Sequence, residues 1–385
     1  MVSRRSAAVV LLASRFIYAA NWYNLSPAVD KIQQSYGISI SEVGLIFTTF
    51  LVGAAVFQIP SGMFASRIGS KNCSMIGILL MTASDVAAYF APNFYLLLLY
   101  RAINGVGAAF FFSSALAVLS EVYPEKITSI VWIYNAAFNL GGGFGILLMA
   151  GLMNPYSWVA NSLLMGAMTS PFILFIYLLV PQSEALTKID LGSVRSKILD
   201  LRIWMIAIGF SGFWTSTYEY PEFLKQYLSS SGYTGLVPGA IGSISLIAGL
   251  SGLVLIPFVR GNNQIKKSLI LSICAGMGII ALPLLGLTGI LLVTIGEAAL
   301  FVLVSALEYV VVIGSEPDRK YRPLRLGLFN SIQISLGSVF SFIFAFLVSF
   351  GFAYAWEFLG IISIVLLPAV FFGKGTTSLQ TPGHS

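Results

Sequence analysis

The stretch Ile127–Val180, ITSIVWIYNAAFNLGGGFGILLMAGLMNPYSWVANSLLMGAMTSPFILFIYLLV, contains no Asp, Glu, Lys or Arg. A helix crosses the hydrocarbon core of a bilayer with roughly 20 apolar residues. This stretch is therefore long enough for two crossings, with Asn154 and Pro155 marking the turn between them. Comparable apolar stretches lie to either side, at Val43–Ser66, Leu326–Tyr354 and Phe358–Gly373. Dividing the 385 residues at charges and at Pro, Gly and Asn predicts twelve spans: 7–28, 43–65, 73–91, 94–120, 128–152, 157–180, 201–228, 235–259, 268–286, 289–313, 325–350 and 352–373.

The composition agrees with this division. Only 9% of residues are charged and 57% are hydrophobic, whereas a soluble domain carries about 25% charged residues. Lipid also demands that backbone groups pair internally, and uniformly apolar spans of this length form helices rather than alternating barrel strands. The expected class is an all-α membrane protein.

Cationic residues set the expected topology. All Lys and Arg except Lys31, Lys225, Arg15 and Arg101 fall on one side of a twelve-span chain. By the positive-inside rule that side is cytoplasmic, and both termini lie there. The same asymmetry explains the net charge of +6 without a nucleic-acid partner. Arg4 and Arg5 ahead of an apolar run imitate a signal peptide, but Arg15 interrupts the run and no small-residue cleavage site follows. The segment is expected to be a retained first span.

The polar stretch 182–200, with Lys188, Asp190, Arg195 and Lys197, separates six predicted spans from six. It reads as a cytoplasmic linker between two bundles, 1–181 and 201–385. The bundles echo one another at an offset of about 195 residues, as parallel transporter repeats do. Pro27 pairs with Pro221, Pro60 with Pro257, Arg101 with Glu297, Asn135 with Asn330, and Gly142 with Gly337.

Between spans 2 and 3 the chain reads Gly62-Met-Phe-Ala-Ser-Arg67-Ile-Gly69-Ser-Lys71. This resembles the signature loop of the major facilitator superfamily, with Ser66 where that family has an acidic residue. Arg101-Ala-Ile-Asn-Gly105-Val-Gly107 resembles the family's second motif. Asn139-Leu-Gly141-Gly142-Gly143 has the glycines of the antiporter motif without its proline, which weighs against a drug:proton antiporter. The resemblance implies two pseudo-symmetric six-helix bundles, with spans 1, 4, 7 and 10 around a central cavity. It also implies that Gly62, Arg67, Gly69 and Lys71 serve conformational change, the missing acid at position 66 putting the strength of the interbundle latch in question.

A charge at bilayer depth costs at least about 2.5–3.5 kcal/mol and normally faces a cavity or a partner. Arg15, Asp85, Arg101, Glu219, Glu297 and Glu308 are such charges, with Glu222 and Glu357 nearer span ends. Asp85 and Arg101 sit at similar depth on antiparallel neighbours joined near Pro92-Asn93, which predicts an ion pair, either a proton-sensitive switch or a static one. The resemblance places Arg15, Arg101, Glu219 and Glu297 at the cavity, the last facing Arg101, with Asn21 and Tyr218 as further ligands. Asn135 and Asn330 are candidates through the repeat. Glu308 is expected to meet the basic loop that follows it.

No His pair, H-E-x-x-H helix, metal-ligand cluster or nucleotide-binding loop occurs, the one His being His384. No enzyme activity, metal or cofactor is expected, and Cys73 and Cys274 read as unreactive thiols. The expected function is secondary active transport of a small solute through the cell membrane by alternating access. The chain is expected to be a monomer coupled to protons, and two buried arginines lean toward an anion. A drug or sugar carrier of the same fold and a membrane sensor remain open.

Overall fold

The computed structural model describes residues 3–123, 126–152, 158–182, 198–259, 263–315 and 322–373. Most of the expected linker, including Lys188, Asp190, Arg195 and Lys197, lies outside them, as does the Asn154–Pro155 turn.

Every regular element among the described residues is helical. The chain opens with α1 (Arg4–Trp22), α2 (Val29–Tyr36), α3 (Ile40–Ile68), α4 (Ser70–Tyr89), α5 (Phe94–Val122), α6 (Ile127–Leu152), α7 (Trp158–Thr169) and α8 (Pro171–Leu179). It continues with α9 (Leu201–Ser230), α10 (Val237–Ile247), α11 (Leu250–Val259), α12 (Gln264–Ala281), α13 (Leu287–Gly314), α14 (Arg322–Val348), α15 (Phe352–Val365) and α16 (Ala369–Phe372).

Nine segments among the described residues are long and apolar enough to cross a membrane. The other three predicted spans are also helices, α1, α4 and α9, but carry more polar residues. Arg15 on α1, Asp85 on α4, and Glu219 and Glu222 on α9 are all buried inside the protein, so these helices turn their polar residues inward rather than to lipid.

Several predicted spans are not single rods. Span 1 ends at Trp22, and a turn with a 3-10 helix at Ser26–Ala28 leads into α2; Pro27 removes a backbone donor there. Span 6 divides at Pro171, span 8 at Ala248–Gly249, and span 12 ahead of Pro368.

Local chemistry fixes the ends. Ser39 and Glu42 form a reciprocal capping box at α3, and Asn93 Oδ1 accepts from Leu96 N at 3.0 Å to start α5. Gly69 is the single residue between α3 and α4, with φ +87°, a conformation that only Gly adopts readily. Gly62 meets nothing where a Cβ would stand. Close approach occurs instead at Gly105, where a Cβ would lie 2.9 Å from the Phe50 carbonyl carbon of α3. The ridge of α3 thereby packs against α5.

α1 and α3–α8 pack among themselves, as do α9–α16. The two groups meet chiefly where α3 lies along α14 and α6 along α10. Toward the Asn93 end this meeting is sealed. Ser26 Oγ donates to the Glu222 carbonyl at 2.8 Å, and Lys225 Nζ pairs with Asp30 at 3.0 Å. Thr48 and Ser341 hydroxyls lie 3.3 Å apart, and Ser243 Oγ donates to Gly143 O at 2.7 Å. At the Gly69 end, Asp200 caps α9 and accepts from Arg325 Nη1 at 2.5 Å, while Arg325 Nε donates to Ser315 at 2.8 Å. Burial raises the Asp200 carboxyl, but the hydrogen bonds from Arg325 and from the Arg202 N–H outweigh it and hold it below its ordinary value.

Candidate functional site

A cavity of about 70 Å³ lies between the two helix groups, on the Gly69 side of the seal. Arg15 of α1 forms one wall. Its guanidinium carbon lies 4.5 Å from the ring centre of Tyr18, 4.8 Å from Phe112, 4.5 Å from Tyr134 and 4.4 Å from Phe138. Tyr134 OH donates to Phe112 O at 3.0 Å, which ties the cage together. Ring faces attract the cation by about 0.5–2 kcal/mol, so they hold the guanidinium without neutralising it. Its Nε and Nη1 have no hydrogen-bond partner. Arg15 therefore does not snorkel to the membrane surface; it is a caged charge presented to the cavity.

Glu308 of α13 and Gln333 of α14 form another wall. Gln333 Nε2 donates to Glu308 Oε2 at 3.1 Å, while Glu308 Oε1 has no partner. Glu308 thus points into the cavity, and the basic loop expected to meet it lies outside the described residues. Between the walls lie amides from both halves. Asn135 and Asn139 come from α6, Asn330 from α14 and Gln58 from α3. Both polar atoms of the Asn139 side chain and Gln58 Nε2 lack partners. Trp22, Tyr218 and Trp214 roof the cavity, with Tyr218 edge-on to Trp22 at 5.6 Å and stacked on Trp214 at 5.8 Å. The Tyr218 hydroxyl has no partner.

Four expected site residues line this cavity: Arg15, Tyr218, Asn135 and Asn330. Arg101, Asp85, Asn21, Glu219 and Glu297 do not. The expected Asp85–Arg101 ion pair is not formed. Asp85 instead accepts from Asn21 Nδ2 and, at 3.1 Å, from Asn104 Nδ2. Arg101 donates to Trp22 O at 3.2 Å and lies 4.8 Å from the Phe50 ring centre. The amides occupy the acceptor positions that the guanidinium would have used. Glu297 lies against Gly278 of α12 rather than facing Arg101.

At the signature loop, Lys71 Nζ donates to Tyr177 O at 2.8 Å, and Arg67 is exposed. The Ser66 side chain lies outside the described residues.

Asn139, Gln58, Glu308 and Gln333 were missed as ligands. Asn135 with Asn139, and Asn330 with Gln333, stand four and three residues apart on otherwise apolar helices. Amides sharing a face at that spacing were the legible signal.

The arrangement places a caged cation on one wall and a carboxyl–amide pair on another, with aromatic faces and unfilled amides between. All of it lies at the junction of two helical groups. A profile of the Major Facilitator Superfamily matches residues 11–315. The chain belongs to the major facilitator superfamily. The fold agrees with the crystal structure of a point mutant of the nucleoside transporter NupG. That likeness has a TM-score of 0.78 at 15% identity and covers 95% of this chain and 99% of that one.

Among curated relatives, the gallate transporter of Pseudomonas putida is 26% identical over 154 residues, 40% of this chain and 34% of its own length. The 4-hydroxybenzoate transporter PcaK of the same organism is 29% identical over 157 residues, 40% of this chain and 34% of its own. An uncharacterized transporter of Bacillus subtilis, YybO, is 23% identical over 256 residues, 58% of this chain and 59% of its own. The chain thus spans a third to three-fifths of the length of these relatives.

Proposed function

We propose that this chain is a secondary active transporter of a small organic anion, working by alternating access in the cell membrane and driven by protons. In this reading it crosses the membrane twelve times as a monomer. Two six-helix bundles, 1–181 and 201–385, are joined by the segment 182–200, with both termini in the cytoplasm and the Asn93 end outside. The Lys and Arg asymmetry supports that orientation. The repeat supports the two bundles. Asn135 and Asn330 both line the cavity, while Gly142 approaches the Tyr23 ring that follows α1 and Gly337 approaches the Trp214 ring of α9.

The observation that carries the anion is Arg15. A buried guanidinium with two nitrogens lacking acceptors awaits an anionic partner, because aromatic faces replace only part of its hydration. Glu308 and Gln333 add an acceptor wall suited to a hydroxyl donor on the solute. A flat hydroxybenzoate offers both groups. The relatives described as gallate and 4-hydroxybenzoate transporters support that class. At about 70 Å³ the cavity is well below the roughly 300 Å³ at which small-molecule pockets begin, so the bundles must part somewhat to admit the solute.

A counterflow screen tests this reading. Proteoliposomes loaded with unlabelled 4-hydroxybenzoate, a sugar, a nucleoside or a cationic dye are given the same labelled solute outside. Exchange of 4-hydroxybenzoate is expected, with little exchange of the others. Exchange confined to the sugar or the cation would refute the anion assignment.

A further inference from the structure

Just beyond the cavity roof, toward the Asn93 end, lies a second polar site that the solute cavity does not use. Glu219 and Glu222 of α9 are both 0% exposed, and none of their four carboxylate oxygens has a hydrogen-bond partner. Three residues apart on one helix, they share a face. Across the junction stands Arg101 of α5, also buried, with Nε and Nη1 unpartnered. The charges acting on Arg101 include those of Glu222 and Asp85.

The surrounding groups are few. Tyr23 follows α1, Tyr218 precedes Glu219, and the Ser26 and Ser341 hydroxyls stand beside Glu222 and Glu219. Lys225 is engaged further out with Asp30. Among the described residues the helices packed on α9 bring no other charge to this face, Glu308 of α13 lining the solute cavity. Glu297 of α13 lies beside Tyr220 and against Gly278, Glu357 of α15 is exposed, and Lys266, Lys267 and Arg325 belong to the Gly69 end.

Three carboxyl groups and one guanidinium thus share one dry region. Asp85 already accepts two amide hydrogen bonds, the arrangement that suits an anion. Glu219 has the Ser341 hydroxyl and no cation beside it, and Glu222 has the Ser26 hydroxyl and shares Arg101 with Asp85. A buried carboxylate with so little to balance it is too costly to persist, so both are carboxylic acids while the region is dry. Both sit directly behind the Ser26–Glu222 backbone contact, which must break for the Asn93 end to open.

We propose that Glu219 and Glu222 form the proton-carrying site of this transporter, separate from the solute cavity and gated by the seal of Ser26 with Glu222 and Lys225 with Asp30. When the Gly69 end opens, water entering through the cavity takes a proton from each group as hydronium, breaking its O–H bond. When the seal at the Asn93 end opens instead, each carboxylate takes a proton from hydronium on that side, forming the O–H bond and leaving water, so protons pass from the Asn93 side to the Gly69 side. Arg101 gives whichever carboxylate is ionised a transient partner. This proposal rests on the transport reading above and names its coupling site.

Two measurements test it. The first compares 4-hydroxybenzoate movement in proteoliposomes for the parent, Glu219→Gln and Glu222→Gln, amides being close in shape to protonated acids. Counterflow is expected to stay within about threefold of the parent, while accumulation driven by a pH gradient falls about tenfold or more. Parent-level accumulation in both variants overturns the proposal.

The second needs no transported solute. Ser26→Cys is introduced into the parent and into the Glu219→Gln/Glu222→Gln double variant. Its modification by a methanethiosulfonate reagent is followed by mass spectrometry at that residue, from about pH 6 to pH 9. The ratio of parent to double-variant rate is expected to rise several-fold with pH, because deprotonation opens the seal. A ratio independent of pH overturns the proposal. If the parent exchanges no 4-hydroxybenzoate, the solute reading fails and this second measurement alone decides the proton site. A sodium gradient that drives uptake where a pH gradient does not overturns it as well.

Discussion

Arg15→Gln removes the caged charge and keeps a polar side chain of moderate length. Arg15 is 4% exposed, and its guanidinium faces four rings rather than a counterion. A bound carboxylate would therefore be its main ionic partner. Truncating one member of a buried, hydrogen-bonded charge pair costs about 2–5 kcal/mol. Some of that is offset here, since the variant no longer bears the cost of an unpaired cation in the empty state. A net loss of about 2–4 kcal/mol corresponds to binding about 30- to 700-fold weaker. Arg15→Lys keeps the charge but loses the planar fork and its stacking, so about tenfold is expected. Equilibrium dialysis of labelled 4-hydroxybenzoate against purified protein at pH 7 reads the change. Glu357→Gln, at an exposed position on α15, serves as control. An Arg15→Gln protein that unfolds like the parent and binds within about threefold of it would refute the assignment of Arg15 as the anion's partner.

Other substitutions probe separate parts of the account. Glu308→Gln is expected to narrow the preference for 4-hydroxybenzoate over benzoate by about threefold to tenfold, read by competition binding, because a weaker acceptor replaces the carboxyl opposite Arg15. Gly105→Val is expected to cost about 1–3 kcal/mol or more, since the added carbon meets Phe50 backbone that cannot yield. Its thermal midpoint in detergent should fall by several degrees. Asp200→Ala is expected to cost about 2 kcal/mol by stranding buried Arg325. The Asp200 carboxyl is held below its ordinary value, so its contribution is fully present above about pH 4. That contribution fades as the pH falls through the folded-state value, and the Asp200→Ala and parent unfolding midpoints should converge in acid.

Much of the helical architecture was legible because lipid imposes one strong rule. A charge-free run such as Ile127–Val180 can satisfy its backbone only as helix, and the Gly62–Lys71 loop matched a family pattern in the right place. The breaks at Pro171, Gly249 and Pro368 were less visible, because hydropathy averages over a helix whether or not it bends. The site was only partly legible. Depth along a span can be counted from the sequence, but the direction a side chain faces depends on helix rotation. That is why Arg15 reached the cavity while Arg101, at a plausible depth, turned behind Trp22 and Phe50. The Asp85–Arg101 expectation failed for a related reason. It considered charges alone, whereas Asn21 and Asn104 supply neutral donors that occupy the carboxylate first. Gln333, which donates to Glu308, comes from a different helix and could not be paired with it from the sequence.

The central claim is that an anion held by Arg15 is moved uphill at the expense of a proton gradient. Purified protein in liposomes, given labelled 4-hydroxybenzoate under an imposed pH gradient, acid outside, tests it most directly. The account predicts accumulation above the external concentration, collapse on adding a protonophore, and no accumulation with Arg15→Gln. Accumulation that ignores the gradient, or that survives the loss of Arg15, would contradict it.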